Sequence, residues 1–178
     1  EWSKGQLDDQ VRAAMGIPYS AIEKPTRDRV PEFARVNVDL IVTVPERYFA
    51  GIEAKVQDAF SSGMHPRTLA KDLAAEYDTS LANAQRIARD QIGKMAAQTN
   101  QDRVQALGIK TYIWRTVHDN RVRDNHVDLD GQVFAYDDPP MGGGTNEEEA
   151  GNPGEGIQCR CFASPDFESL LSSLEAAA

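Results

Sequence analysis

The stretch WRTVHDNRVRDNHVDLDG, residues 114–131, decides the fold together with PGEGIQCRC, residues 153–161. The two stretches place a histidine, two cysteines and a group of Asp and Arg side chains in a part of the chain that is otherwise rich in loop-forming residues. A chain that folds back on itself there can gather these side chains in one place. We therefore expect any chemistry of this protein to lie in this region.

Length and composition indicate one modest domain, or one domain with extended arms. The chain has 178 residues, of which 40% are hydrophobic and 26% are charged, and this is enough to bury a core. No apolar run approaches the length of a membrane span, and no charged and then apolar leader is present. Composition therefore argues against a membrane-spanning protein.

The net charge of −9 is concentrated in the second half of the chain. From Asp124 onward there are twelve acidic residues and one basic residue, Arg160. Such a surface repels phosphate, which argues against a broad nucleic-acid surface there and leaves a local basic stripe upstream as a candidate DNA contact. A solvated acidic surface is the simpler interpretation.

The first half of the chain predicts an arm followed by helices. Residues 1–37 lack sustained periodicity and contain several prolines, so we expect an extended N-terminal arm with a short helix near residues 7–15. Over residues 45–108, helical spacing predicts about three helices, the last of them long. Their expected limits are Pro45 to Gly63, Pro66 onward, and a cap at Thr79 or Ser80 to Gly108.

After Gly108 the spacing of apolar residues changes to two, which predicts a small sheet. The candidate strands are residues 109–116, 132–136 and 157–162. Residues 137–156 are rich in Gly, Pro and Glu, and we expect a loop that is mobile unless bound. The predicted fold class is α+β: an N-terminal helical region followed by a small antiparallel β-sheet with long loops, which together form a domain over residues 38–163. Residues 164–178 are interpreted as a C-terminal tail.

Cys159 and Cys161 are separated by one residue, which is too close for normal disulfide geometry. They are expected to be thiols or metal ligands, in a protein made in a reducing interior such as a bacterial cytoplasm. On a strand, residues two apart share a face, so pairing of residues 157–162 with residues 132–136 would direct both sulfur atoms to one side.

His126 could meet the two sulfur atoms there and complete three ligands of a zinc site. The fourth position would be filled by Asp119, His118 or a water molecule. The alternative is a pair of buried reduced cysteines beside a surface histidine, which is common packing. Arg121 and Arg123 could bind phosphate, but the many nearby carboxylates favour ion pairs.

The order of these motifs resembles that of the phage head morphogenesis proteins of the Mu F-like minor head family, over residues 38–163. The resemblance begins with Ile87-Ala88-Arg89-Asp90-Gln91 and continues through the segment from Gly108 to Thr116. Pro153-Gly154 and the Cys-x-Cys pair close it. The central motif, Asp-x-Arg-Val-Arg-x-x-His-x-x-Leu-Asp-Gly, supplies the residues that we expect to organise the structure: Trp114 ahead of it, then Asp119, Arg121, Arg123, His126 and Gly131.

The resemblance implies a minor capsid protein of a tailed bacteriophage, present in few copies near the portal vertex and associated with head assembly and with DNA entering the cell. Expected partners are the portal protein, the major capsid protein, or both, with DNA as a further candidate. The expected location is the virion. Some relatives carry a Cys-x-x-Cys pair at the positions of Arg123 and His126, which would make a four-thiolate zinc site; here only His126 fits.

The sequence favours a structural role over catalysis, because it contains no P-loop, no His-Glu-x-x-His and no Ser/His/Asp order. Two alternatives remain. In the first, zinc held by His126, Cys159 and Cys161 activates water, with Asp119 or a neighbouring carboxylate as base, in a hydrolase. In the second, the domain delivers or packages a polymorphic toxin.

Overall fold

The computed structural model describes residues 27–39, 41 and 43–169. Helices come first along the chain and a three-stranded antiparallel sheet follows, so the predicted α+β class is confirmed. The described elements are α1 (Val30–Val38), a 3-10 turn (Glu46–Tyr48), α2 (Phe49–Ser62), α3 (Pro66–Glu76), α4 (Leu81–Ala106), β1 (Thr111–Arg115), α5 (Asp124–Leu129), β2 (Val133–Ala135) and β3 (Phe162–Pro165).

The predicted ends of the helices follow from local capping chemistry. Gly63, with φ of 69°, closes α2 in the left-handed conformation that glycine adopts without strain. The His65 ring accepts a hydrogen bond from the backbone N–H of Arg67 at the start of α3. Ser80 caps α4 by accepting from the backbone N–H of Asn83 at 3.2 Å.

The apolar stripes of α2, α3 and α4 meet in one core. Its completely buried members have the spacing of three and four residues that predicted the helices, and burial of such side chains stabilises the fold by about 1.5–3 kcal/mol each. They include Ile52, Val56, Leu69, Leu73, Ala84, Ala88 and Met95. Leu81 has the spacing of the apolar stripe of α4 but is 48% exposed, because it is the first residue of the helix.

The prediction of an extended arm over residues 1–37 is wrong for residues 30–37, because they form α1, which belongs to the core. Val30, Phe33, Ala34 and Val38 are buried, and Pro31 lies in the first turn of the helix, where proline is tolerated. Two hydrogen bonds with α4 hold α1 in place: the Gln91 side-chain amide donates to the Asn37 carbonyl, and the Asn37 side-chain amide donates to Gln98 Oε1. The expected short helix near residues 7–15 lies outside the described residues.

The sheet has the order β2-β1-β3, with β1 in the centre. A third strand was predicted at residues 157–162, which is wrong except at Phe162, and the pairing with residues 132–136 that was considered for it does not occur in the described sheet. The strand begins at Phe162 and pairs with β1, where Trp114 lies opposite Ala163. Gln158 has φ of 56°, which interrupts an extended chain, and its side-chain amide donates to the carbonyl of Arg86 on α4 at 2.7 Å. β3 also extends past the predicted domain end at residue 163.

A second, smaller core lies under the sheet and includes Tyr112, Trp114, Tyr136 and Cys161. The loop over residues 137–156 closes this core. Its backbone is partly buried, and the backbone N–H groups of Gly142 and Gly144 both donate to the carbonyl of Glu149. The expected mobile loop is therefore held by its own hydrogen bonds. Among the described helices, none has the length and apolar character to cross a membrane.

Candidate metal centre

His126 lies on the short helix α5, which follows β1 and is anchored to it. Gly131, with φ of 81°, ends the α5 segment, and its backbone N–H donates to the carbonyl of Trp114 at 2.8 Å. The indole of Trp114 then packs edge-on against the His126 imidazole, with 5.2 Å between ring centroids. His126 is 1% exposed, so its two ring nitrogens must find partners inside the protein.

One of these partners is a backbone carbonyl. His126 Nε2 lies 3.1 Å from the Gly144 carbonyl oxygen. A carbonyl can only accept, so Nε2 carries the proton and Nδ1 presents a lone pair. Nδ1 faces the Sγ atoms of Cys161 at 3.4 Å and Cys159 at 3.6 Å.

The glycine-rich loop allows this carbonyl contact. A Cβ at Gly143 would collide with the carbonyl oxygen of Gly151 and approach that of Pro140 to 3.0 Å, so the two backbone segments fit together only with glycine at this position. This close approach positions the next residue, Gly144, so that its carbonyl reaches His126 Nε2. The side-chain amide of Asn125 donates to the carbonyl of Gly142 and ties α5 to the same loop.

The Cys159 sulfur lies in a shell of donors. It accepts from the backbone N–H groups of Gly154 and Cys161, each at 3.4 Å. The Cys161 thiol, together with these backbone amides, holds the pKa of Cys159 well below its usual value despite burial. The arrangement therefore favours a thiolate at Cys159.

Cys161 is the proton donor of this pair. Its hydrogen bond to Cys159, together with burial, raises the pKa of Cys161. The indole N–H of Trp114 lowers the pKa of Cys161, because a nearby donor favours the thiolate. That indole N–H is buried and forms no hydrogen bond within the described part of the chain, so it is available to a thiolate at Cys161.

These three ligand atoms have the spacing of a metal site. All of them lie within 4.8 Å of one another. Tetrahedral zinc, with bonds of about 2.3 Å to sulfur and 2.0–2.1 Å to nitrogen, places a sulfur and a nitrogen about 3.6 Å apart. The observed distances of 3.4 and 3.6 Å agree with this value. The carbonyl behind His126 matches the support that metal-binding histidines usually have.

The two candidates for the fourth ligand lie elsewhere. The Asp119 carboxylate pairs with Arg160 Nη2 at 2.6 Å and with Arg121 Nη2 at 3.5 Å. His118 is 72% exposed at its side chain, and it contacts Thr116 Oγ1 at 3.2 Å and Asp130 at 3.7 Å. Neither residue joins the cluster of His126 with the two cysteines.

The two arginines of the central motif behave differently from each other. Arg121 pairs with a carboxylate, as predicted. The prediction is wrong for Arg123, whose guanidinium donates to the backbone carbonyl of Ile157 and so ties the start of α5 to the segment that precedes Cys159. This backbone contact, the contact of the Gly144 carbonyl with His126 and the ion pair of Arg160 were not predicted from the sequence. The position of Arg160 between two candidate ligands was the available signal.

The residues of the candidate metal centre lie in the part of the chain that matches a known protein family. The sequence model of the family described as "Phage Mu protein F like protein" matches residues 50–164, from α2 into β3. An "Uncharacterized protein" of Haemophilus influenzae (strain ATCC 51907 / DSM 11121 / KW20 / Rd) is 35% identical over 171 residues, which cover 92% of this chain and 36% of the relative. The chain thus spans about a third of that relative's length. No solved structure matches the chain.

Proposed function

The chain belongs to the Phage Mu protein F like protein family, and from this premise we propose that it is a structural minor head protein of a tailed bacteriophage. It acts in head morphogenesis near the portal and contributes to DNA delivery. It is made in the cytoplasm of the host bacterium and is then incorporated into the virion. The observation that carries the proposal is the family match, which covers α2, α3 and α4 of the helical core and the region of His126, Cys159 and Cys161.

The candidate site supports a structural role rather than a catalytic one. His126 is buried: its Nε2 contacts the Gly144 carbonyl and its Nδ1 faces the two sulfur atoms rather than an open substrate cavity. Asp119, the carboxylate named first as the base of the hydrolase alternative, forms an ion pair with Arg160. The cluster of His126, Cys159 and Cys161, with the Gly144 carbonyl, links three segments of the chain: α5, the glycine-rich loop and the residues before β3.

We propose further that the cluster holds a zinc ion, with His126 Nδ1 and the two thiolates as ligands. Bound zinc would supply a structural cross-link. The residues fit such an ion: the sulfur-to-nitrogen distances suit tetrahedral coordination, and Trp114 offers a buried donor to Cys161. The protein positions these ligands through the Gly144 carbonyl and the amides around Cys159.

Metal analysis of the purified chain tests the zinc site. We expect one zinc per chain in the wild type and a loss of zinc in both Cys159→Ser and His126→Ala. His118→Ala is the matched control, because that imidazole is exposed and lies outside the cluster. A chelator should lower the melting temperature of the wild type and of His118→Ala but not that of the other two variants. A folded wild-type chain without metal would disprove the site.

Co-expression with the portal protein and the major capsid protein of the same phage genome tests the head role separately. We expect the chain to co-purify with at least one of them, the portal protein first, and to be found in purified virions by mass spectrometry. Absence from virions together with a lack of binding to either protein would refute the head role, whatever the result for zinc.

A further inference from the structure

A small basic cavity lies on the outer side of Cys159. It has a volume of about 150 Å³ and is enclosed between α4 and the turn that carries the cysteines. Four of its lining residues are basic and one is acidic, although the whole chain carries a net charge of −9. The lining residues that matter here are Arg89, Asp90, Lys94, Arg121, Cys159 and Arg160.

Lys94 is the most deeply buried of these cations, with 3% exposure. Its ammonium lies 3.3 Å from Asp90 Oδ2, while Asp90 Oδ1 accepts from the backbone N–H of Gln158 at 2.6 Å. The Asp90 carboxylate is therefore shared between two donors. A buried ammonium with three N–H groups and one shared partner leaves hydrogen-bonding capacity that an acceptor in the cavity would satisfy.

The arginines of the lining also have more donors than acceptors. Arg121 and Arg160 share the single carboxylate of Asp119. Arg160 Nε is buried and has no acceptor within the described part of the chain. The four basic side chains that line the cavity outnumber the carboxylates of Asp90 and Asp119, which leaves a net charge of +2. A thiolate at Cys159 would lower this net charge to +1.

We infer that this cavity binds a single phosphate group. Guanidinium and ammonium groups that line one small cavity suit a tetrahedral oxyanion. The volume is below the roughly 300 Å³ of small-molecule pockets and equals that of about five water molecules, so it admits one such group rather than a nucleotide. The phosphate comes either from solution, as inorganic phosphate, or from the end of a DNA strand.

Titration of the full chain with inorganic phosphate, followed by backbone amide NMR, tests the inference. We expect saturable shifts at Arg89, Lys94 and Arg160 and about tenfold weaker binding in Arg89→Gln. Arg89 is exposed and forms no ion pair within the described part of the chain, so its loss leaves the fold intact. Arg67→Gln, which changes the same charge on α3, should bind within about twofold of the wild type.

A second experiment identifies the source of the phosphate. A short DNA strand with a 5′-phosphate that binds about tenfold more tightly than both free phosphate and the same strand without its 5′-phosphate would support a DNA end; equal affinity of free and DNA-linked phosphate would support the free ion. Because Arg89 lies outside the proposed metal ligands, its effect separates this cavity from direct binding to zinc. The absence of saturable binding, or equal affinities of Arg89→Gln and Arg67→Gln, would overturn the inference.

Discussion

Asp119 Oδ2 lies 2.6 Å from Nη2 of Arg160, the residue between the two cysteines of the candidate metal centre. The ion pair joins the loop after β1 to the segment that leads into β3. Less than a third of either side chain is exposed. The carboxylate thus supports the position of the cysteines from outside rather than facing His126.

Asp119→Asn should weaken this link and leave the proposed zinc site intact. We expect the free energy of unfolding to fall by about 1 kcal/mol, because a partly buried charge-assisted pair is replaced by a neutral contact. Thermal unfolding should show a melting temperature lower by about 2–4 °C, with unchanged zinc content. Asp128→Asn, at an exposed carboxylate of α5, is the control and should melt like the wild type. Loss of zinc in Asp119→Asn alone would mean that Asp119 is a ligand.

Gly143→Ala should disrupt the support of His126. The added Cβ meets the Gly151 carbonyl oxygen, so the loop must shift and carry the Gly144 carbonyl away from His126 Nε2. We expect a loss of about 1–3 kcal/mol in unfolding free energy and roughly tenfold weaker zinc binding, as is typical when the partner of a metal-binding histidine is removed. Chemical denaturation and a competitive chelator titration measure the two effects.

Gly93→Ala provides the comparison for that variant. Gly93 lies within α4, and a Cβ there meets no atom within 4 Å outside the helix backbone. Alanine favours a helix by about 0.5–1 kcal/mol over glycine, so this variant should be at least as stable as the wild type. If both glycine variants were equally stable, the steric account of Gly143 would fail.

The helical part could be predicted from the sequence because its signals are local. Gly63 and Ser80 end and begin helices through contacts with residues three or four positions away. The same rules indicate α1, because Val30, Phe33 and Ala34 have helical spacing and Pro31 fits a first helical turn. The prolines of residues 1–37 therefore do not by themselves indicate an extended arm.

The sequence predicted which residues cluster in the candidate metal centre, but not the contacts that position them. The grouping of His126 with the cysteines follows from residue types, whereas its geometry depends on contacts far apart in sequence, such as that between His126 and the carbonyl of Gly144. Backbone carbonyls leave no residue-type signal. Gln158 has a positive φ, which a glutamine in the sequence does not indicate. A strand over residues 157–162 was therefore expected.

Gln158 provides a test of that turn. We expect Gln158→Ala to lower the free energy of unfolding by about 1–2 kcal/mol, because the hydrogen bond to the Arg86 carbonyl is lost while the left-handed backbone conformation still carries a Cβ. Gln158→Gly loses the same hydrogen bond but tolerates the positive φ, so it should be about 1 kcal/mol more stable than Gln158→Ala. Urea denaturation of both variants measures the difference. The reverse order would show that the backbone there is not left-handed.

Tyr136 should make the stability of the protein sensitive to alkaline pH. Its hydroxyl is buried and has no partner within the described part of the chain, and burial raises the pKa of Tyr136 to about 12, whereas an unfolded tyrosine titrates near 10. The folded state therefore binds the proton more tightly than the unfolded state. The corresponding stability is fully present below about pH 10 and is lost as the pH rises toward 12, with a limit of about 2–3 kcal/mol for this group. Tyr136→Phe should be close to the wild type at pH 7 and should lose less stability over that interval, as measured by denaturation at each pH. Parallel losses in the two proteins would place the alkaline sensitivity on other groups.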